Sequence, residues 1–221
     1  SGVSSCPSGT ADALATSFAA RGGVAVSADI FDAIRRHDLA RLAALLDAGA
    51  DPNARREERP EYSPLLEAIN ALDEGGSLDA LMMLLLRGAN ANARDAKNET
   101  APLLMAIVRG RPEAARLLLV AGANPNVRGG EGDSPLRWAV SCGDTAMAAT
   151  LLRLGAVSTI DEYGGPPCGS GRTALGIAAD RLDVPMIALL LDAGADPNRG
   201  GDSQSSPLTY VQSAKGSDAA R

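Results

Sequence analysis

The chain has 221 residues, 45% of them hydrophobic but only 3% aromatic, and a formal net charge of −6. No apolar run reaches membrane length, so no transmembrane segment is expected; the negative balance argues against a sequence-independent nucleic-acid binder, which must neutralise phosphates with Lys and Arg. With so few rings, a core has to be built from Ala and Leu in thin, closely packed helical layers.

Residues 1–10, Ser-Gly-Val-Ser-Ser-Cys-Pro-Ser-Gly-Thr, are small and polar and read as a flexible tail. Val3-Ser4-Ser5-Cys6 loosely resembles the end of a bacterial lipoprotein signal, in which the Cys is acylated; the competing reading is a plain exposed thiol. The compartment therefore stays open between the cytoplasm and a periplasmic, lipid-anchored location. Residues 11–27 are expected to carry one capping helix, Ala11 to Arg21, stopped by Gly22-Gly23. From residue 28 a helical pair runs Asp29 to Ile34 and then Leu39 to Ala48. His37, the chain's one histidine, falls in the turn between them, where Gly110 and Gly143 stand further on. A single histidine in a solvated turn also weakens most enzyme readings, since nucleophilic catalysis needs base, nucleophile and orienting group within reach.

The clearest unit is Pro102 to Asn126, which predicts helix, turn, helix and tight turn. Pro102 and Pro112 stand where a helix starts and a missing N–H costs nothing, Glu113 suits the positive end of the helix dipole, and Gly122 ends the second run. Helices this short are marginal alone and require stacked copies. The copies follow the Leu-Leu-x-x-Gly-Ala core: Leu45-Leu46, Leu84-Leu85, Leu118-Leu119, Leu151-Leu152 and Leu190-Leu191, each followed by Gly-Ala. A period of 33 with insertions accounts for every interval between these glycines (49, 88, 122, 155, 194). Ser63-Pro64-Leu65, Ala101-Pro102-Leu103, Ser134-Pro135-Leu136, Thr173-Ala174-Leu175 and Ser206-Pro207-Leu208 repeat the helix start, where Ser or Thr caps the first turn.

This spacing, the TPLHxA-like starts and the GADPN or GANPN turns resemble the ankyrin repeat family over residues 28–221, as five full repeats and a truncated sixth. The chain departs from the family at its usual histidine, replaced by Leu66, Leu104, Arg137, Gly176 and Thr209, and in repeat four, which lacks the Asp-Pro-Asn turn. The resemblance implies an all-α solenoid with short hairpin-like loops and a concave surface that holds another protein. It implies a monomer apart from that partner, with no catalytic or metal site, no cofactor and no nucleic acid. The positions that family members use for contact are here Tyr62 with Asn70 and Ala71, Lys97 and Thr100 with Val108 and Arg109, Glu131 and Asp133 with Ser141 and Cys142, and Arg172 with Asp180 and Arg181. Trp138 is either an exposed binding hot spot on that face or packing between first helices.

The connecting stretches add detail. Arg55, Arg94 and Arg128 each lie two residues beyond a repeat's Asn and line up at successive tips, a ladder that Asp161 interrupts. The four extra residues around Leu72 to Ser77 read as tolerated length. The long link 157–172 carries Tyr163 beside Asp161 and Glu162, as an interaction finger or a flexible insertion. The three cysteines, Cys6, Cys142 and Cys168, are expected to be free thiols, the last two lying too far apart along a repeat to join.

Overall fold

A computed structural model describes residues 24–55, 62–94, 100–129, 132–163, 171–200 and 206–207, with side chains from residue 30. Its helices come in pairs: α1 (Val24–Arg35) with α2 (Leu39–Asp47), α3 (Pro64–Ala71) with α4 (Leu78–Leu86), α5 (Pro102–Val108) with α6 (Pro112–Val120), α7 (Pro135–Cys142) with α8 (Thr145–Arg153), and α9 (Ala174–Asp180) with α10 (Val184–Asp192). The first helices α1, α3, α5, α7 and α9 stack in succession; α2, α4 and α6 form the second row, continued where α10 packs on α8. Among the described residues there is no strand, and the fold is an all-α solenoid. α1 runs unbroken from Val24, so the boundary expected at residue 28 falls inside a helix. The capping helix expected at 11–21 and the truncated sixth unit, beyond Pro207, lie outside the described residues.

The helix starts obey local chemistry. Ser63, Ser134 and Thr173 accept the N–H of Leu66, Arg137 and Gly176 at 3.3, 3.4 and 3.1 Å. Three of the second helices use aspartates instead: Asp38, Asp144 and Asp183 accept from Arg41, Met147 and Met186 at 2.9, 2.9 and 3.1 Å, whereas α4 is capped by Ser77 and α6 starts on Pro112. Gly122 closes α6 at φ +87°, with nothing within 4 Å of the place a Cβ would take. Gly122→Ala therefore adds only backbone strain and is expected to cost about 1 kcal/mol, read by urea unfolding. His37 occupies the corresponding inter-helix turn as foreseen, exposed and at φ 56°, beside the φ 63° of Gly110 in repeat three.

Burial follows the repeated leucines. Leu84, Leu118, Leu151 and Leu190 are fully buried, as are Ala68, Ala106, Ala139 and Ala178 at one register of the first helices, whose small side chains let neighbouring repeats approach. In repeat one Leu46 takes the buried place and Leu45 is half-buried. Leu191 is 42% exposed, at the end of the described row of second helices.

Asparagines tie successive tips together. Asn53 donates from Nδ2 to the Gly88 carbonyl at 3.0 Å and accepts the Asn90 N–H at 2.7 Å; Asn92 repeats the pattern with Gly122 and Asn124 at the same distances. Asn126 donates to the Gly155 carbonyl at 2.7 Å, but its Oδ1 receives the Ser158 hydroxyl in place of a backbone N–H. In repeat four the asparagine role passes to Asp161, whose Oδ1 accepts the Asp196 N–H at 2.9 Å. Asp161 lies six residues after Gly155, where Asn126 lies four after Gly122, so two of the inserted residues sit in the turn itself. The break expected in the tip ladder at Asp161 is thus a shift of register: Tyr163, not Asp161, falls where Arg55, Arg94 and Arg128 stand.

Candidate protein-binding face

The expected contact residues lie along the first-helix row, and many of their polar groups are already engaged within the chain. At one end Asn70 Nδ2 donates to the Tyr62 hydroxyl at 2.7 Å; at the other, Arg172 Nη1 donates to Asp180 Oδ2 at 2.7 Å. The two pairs share one register, eight residues apart, and each bridges the segment before a first helix to that helix's last turn. Arg181 reaches back to the Ser141 carbonyl of the preceding repeat. Thr100 is half-buried and Ala71 is buried, which removes Ala71 from the contact surface. Lys97 and Glu131 lie outside the described residues, as do Cys6 and Cys168.

Trp138 packs against Ala101, Leu104 and Val127 of the preceding repeat, half-buried, and its Nε1 donates to Asp133 Oδ2 at 3.0 Å. It therefore works as packing between first helices, and any partner meets only its remaining edge. Asp133 in turn is set by a hairpin in which the Gly129 N–H bonds the Asp133 carbonyl at 3.0 Å. A Cβ on Gly129 would lie 2.0 Å from the Asp133 carboxylate, so only glycine admits this arrangement.

The loop of repeat two does more than absorb length. Asp73, in the 3-10 turn Leu72–Glu74, accepts from Arg111 Nη2 at 2.8 Å and Nε at 3.1 Å, and also from Arg109, both in repeat three. The Arg111 hydrogen bond leads in holding the Asp73 carboxyl below its ordinary pKa; Arg109's bond and the charge of both arginines add to it, against a desolvation penalty. A carboxyl depressed in the folded state contributes stability above its unfolded pKa, and that contribution is lost as pH falls through the folded value. Asp73→Asn should therefore cost up to about 1 kcal/mol at neutral pH, with the difference from wild type vanishing as urea unfolding is repeated below about pH 4.

Between the bridged ends, the row also exposes uncharged groups beside the Arg109 and Asp73 pair. Val108 is 42% exposed, Met105 is half-buried, and Cys142 is an exposed free thiol. At the tips Tyr163 is 46% exposed, and Arg128 donates to Glu162 of the next finger, a pairing that raises the arginine's pKa, through the hydrogen bond first and the charge second. The tip register of Tyr163 and the Asp73 clamp were missed in sequence. Only the cross-repeat hydrogen bond shows the first; for the second, an acid in an inserted loop one repeat before a pair of arginines is a usable signal. Among the described residues no helix is long and apolar enough to cross a membrane, and no three of His, Cys, Asp and Glu gather as a metal site would need.

A stack of helix pairs with its first helices and tips presented on one side defines a repeat solenoid of the protein-interaction class. The family model "Ankyrin repeats (3 copies)" matches residues 65–161 and 106–201, and the chain belongs to the ankyrin repeat family. It is 32% identical over 154 residues to human ankyrin repeat domain-containing protein 63, covering 66% of this chain and 39% of that protein. It is also 32% identical over 123 residues to a putative ankyrin repeat-containing protein of Treponema pallidum, covering 55% and 39%. The chain thus spans about two fifths of the length of each. Among solved structures it resembles an ankyrin repeat domain from Acinetobacter baumannii, with TM-score 0.72, 25% identity and coverage of 84% and 91%. A second likeness is to a chain in the complex of the Bdellovibrio bacteriovorus predatory endopeptidase Bd0816 with immunity protein Bd3460, with TM-score 0.67, 25% identity and coverage of 86% and 93%. Ankyrin repeats are protein-interaction modules, generally non-catalytic.

Proposed function

We propose that this chain is a non-catalytic scaffold that holds a partner protein on its first-helix row and finger tips, as an inhibitor or adaptor of one enzyme. The observation that carries the reading is the contrast along the row. Polar groups at its ends are closed on one another, whereas the centre leaves Val108, Met105 and Cys142 to meet a partner. Contacts made in the middle of such a face and shielded by polar neighbours dominate protein association. The likeness to a chain from an endopeptidase and immunity-protein complex supports the inhibitor form of the reading. Tyr62, Asn70, Thr100, Arg109, Asp133, Trp138, Tyr163, Arg172, Asp180 and Arg181 frame this face, and Lys97 and Glu131 belong to the same set by register.

Val108→Asp tests it, because the site is exposed and a charge there disturbs the fold little. Partner capture from native extract should weaken at least about tenfold. Val120→Asp on α6, at a position 87% exposed on the second-helix row, should leave capture unchanged. Equal capture by Val108→Asp and wild type would overturn the assignment of this face.

A further inference from the structure

Where the first helices turn into the second, neighbouring repeats meet in notches that the chain fills in different ways. Counting from the N-cap of each first helix, one register carries Ala71, Arg109, Cys142 and Arg181 in repeats two to five. Both arginines reach back to the preceding repeat, Arg109 to Asp73 and Arg181 to the Ser141 carbonyl. Arg181 also lies over Gly143, where a Cβ would sit 3.3 Å from its Nη2. Cys142 is too short to span the same gap. Between repeats three and four a notch of about 50 Å³ stays open, with Ile107 and Met147 as its apolar wall and Gly110, Arg111, Cys142 and Asp144 at its edge.

The groups that seat Arg181 recur one repeat earlier. Val108 stands one repeat before Ser141, and its carbonyl has no intrahelical partner because Pro112, four residues on, has no N–H. Gly110 stands where Gly143 does, and nothing lies within 4 Å of the place its Cβ would take. Asp144 Oδ1 accepts the Met147 N–H at 2.9 Å, which leaves the other carboxylate oxygen for a cation. The neighbouring guanidiniums are committed, Arg109 and Arg111 to Asp73 and Arg181 to Ser141.

We infer that this notch takes an arginine side chain of the partner protein. Its stem lies along Ile107 and Met147, and its guanidinium donates to the Val108 carbonyl, as Arg181 donates to that of Ser141, and faces Asp144. The inference rests on the protein-binding reading above and names a side chain that the row selects. An arginine buries its methylenes on apolar surface while its head stays at the polar edge. Its planar fork bonds a carbonyl and a carboxylate together, whereas the ammonium of lysine is a compact, more strongly hydrated charge. The net charge of −6 draws a cationic segment towards the chain.

The peptide acetyl-Gly-Gly-Arg-Gly-Gly-amide, with a twin carrying lysine in place of arginine, tests this on the full chain by amide NMR titration. Saturable shifts should centre on Gly110, Cys142 and Asp144, with the lysine twin at least about threefold weaker. Cys142→Arg, which sets the register's own arginine over the notch, should abolish them with an unchanged circular dichroism spectrum. Asp144→Asn, which still caps α8, should weaken binding at least about threefold. Asp192→Asn, which removes the same charge from the second-helix row, should leave binding unchanged. No saturable shifts, shifts centred elsewhere, equal binding of the lysine twin, or equal weakening by Asp192→Asn overturns the proposal. So does binding that survives Cys142→Arg; where that variant fails to fold, undiminished binding by Asp144→Asn overturns it alone. Capture with Val108→Asp uses the whole partner and the peptide reads one side chain. A row that holds its partner without this seat therefore gives weakened capture and no peptide shifts, so the two failures are distinguishable.

Discussion

Leu118→Ala is expected to lower the free energy of unfolding by about 2 to 5 kcal/mol, the range for removing a buried leucine and leaving a cavity. The side chain is fully buried in α6, which packs against α5 of its own repeat and α4 of the preceding one. Each helix here is seven to twelve residues long, too short to persist on propensity alone, so its stability comes from burial shared with neighbours. A leucine facing two neighbours is then a coupling between repeats as much as a local contact. Equilibrium urea unfolding, followed by circular dichroism, should show the midpoint fall. A loss below about 1 kcal/mol would contradict the seam assignment.

Arg137→Ala is the second large effect, about 2 to 5 kcal/mol. Among the described residues Arg137 is the largest fully buried side chain, and it stands where the family has histidine, where repeats two and three place the buried Leu66 and Leu104. Its Nη1 reaches the Gly132 carbonyl at 3.4 Å, so one side chain both fills the layer and steadies the hairpin that carries Asp133. Arg137→Leu, the residue its neighbours use, should recover at least half of the loss, since well-packed apolar groups often replace a buried charge without penalty. If Ala and Leu at this position prove equally stable, the filling role is wrong.

The fold was legible because its signals are local and repeated. Proline at helix starts, hydroxyl caps, glycine after the second helix and leucines at constant phase each reflect a short-range cause. The site was legible as positions and not as states. That Tyr62 is spent on Asn70, or Arg109 on Asp73, depends on side chains eight or thirty-six residues apart meeting across a layer, and no period shows it. Trp138 is the sharpest case: spacing left it open between the face and the seam, and only packing on Leu104 and Val127 shows that most of it is inside. In repeat four, counting residues assigned Asp161 to the arginine ladder, while the bond from Asp196 assigns it to the asparagine ladder. An insertion moves every residue beyond it, and only pairing across repeats shows where the two extra residues went.

Hydrogen–deuterium exchange of the chain, alone and with its captured partner, tests the central claim most directly. Slowed exchange is expected in α5 and α7 and at the finger tips around Arg94, Arg128 and Tyr163, with α4, α6 and α8 unchanged on their outer faces. Protection centred instead on the second helices, around Leu86 and Val120, would contradict it.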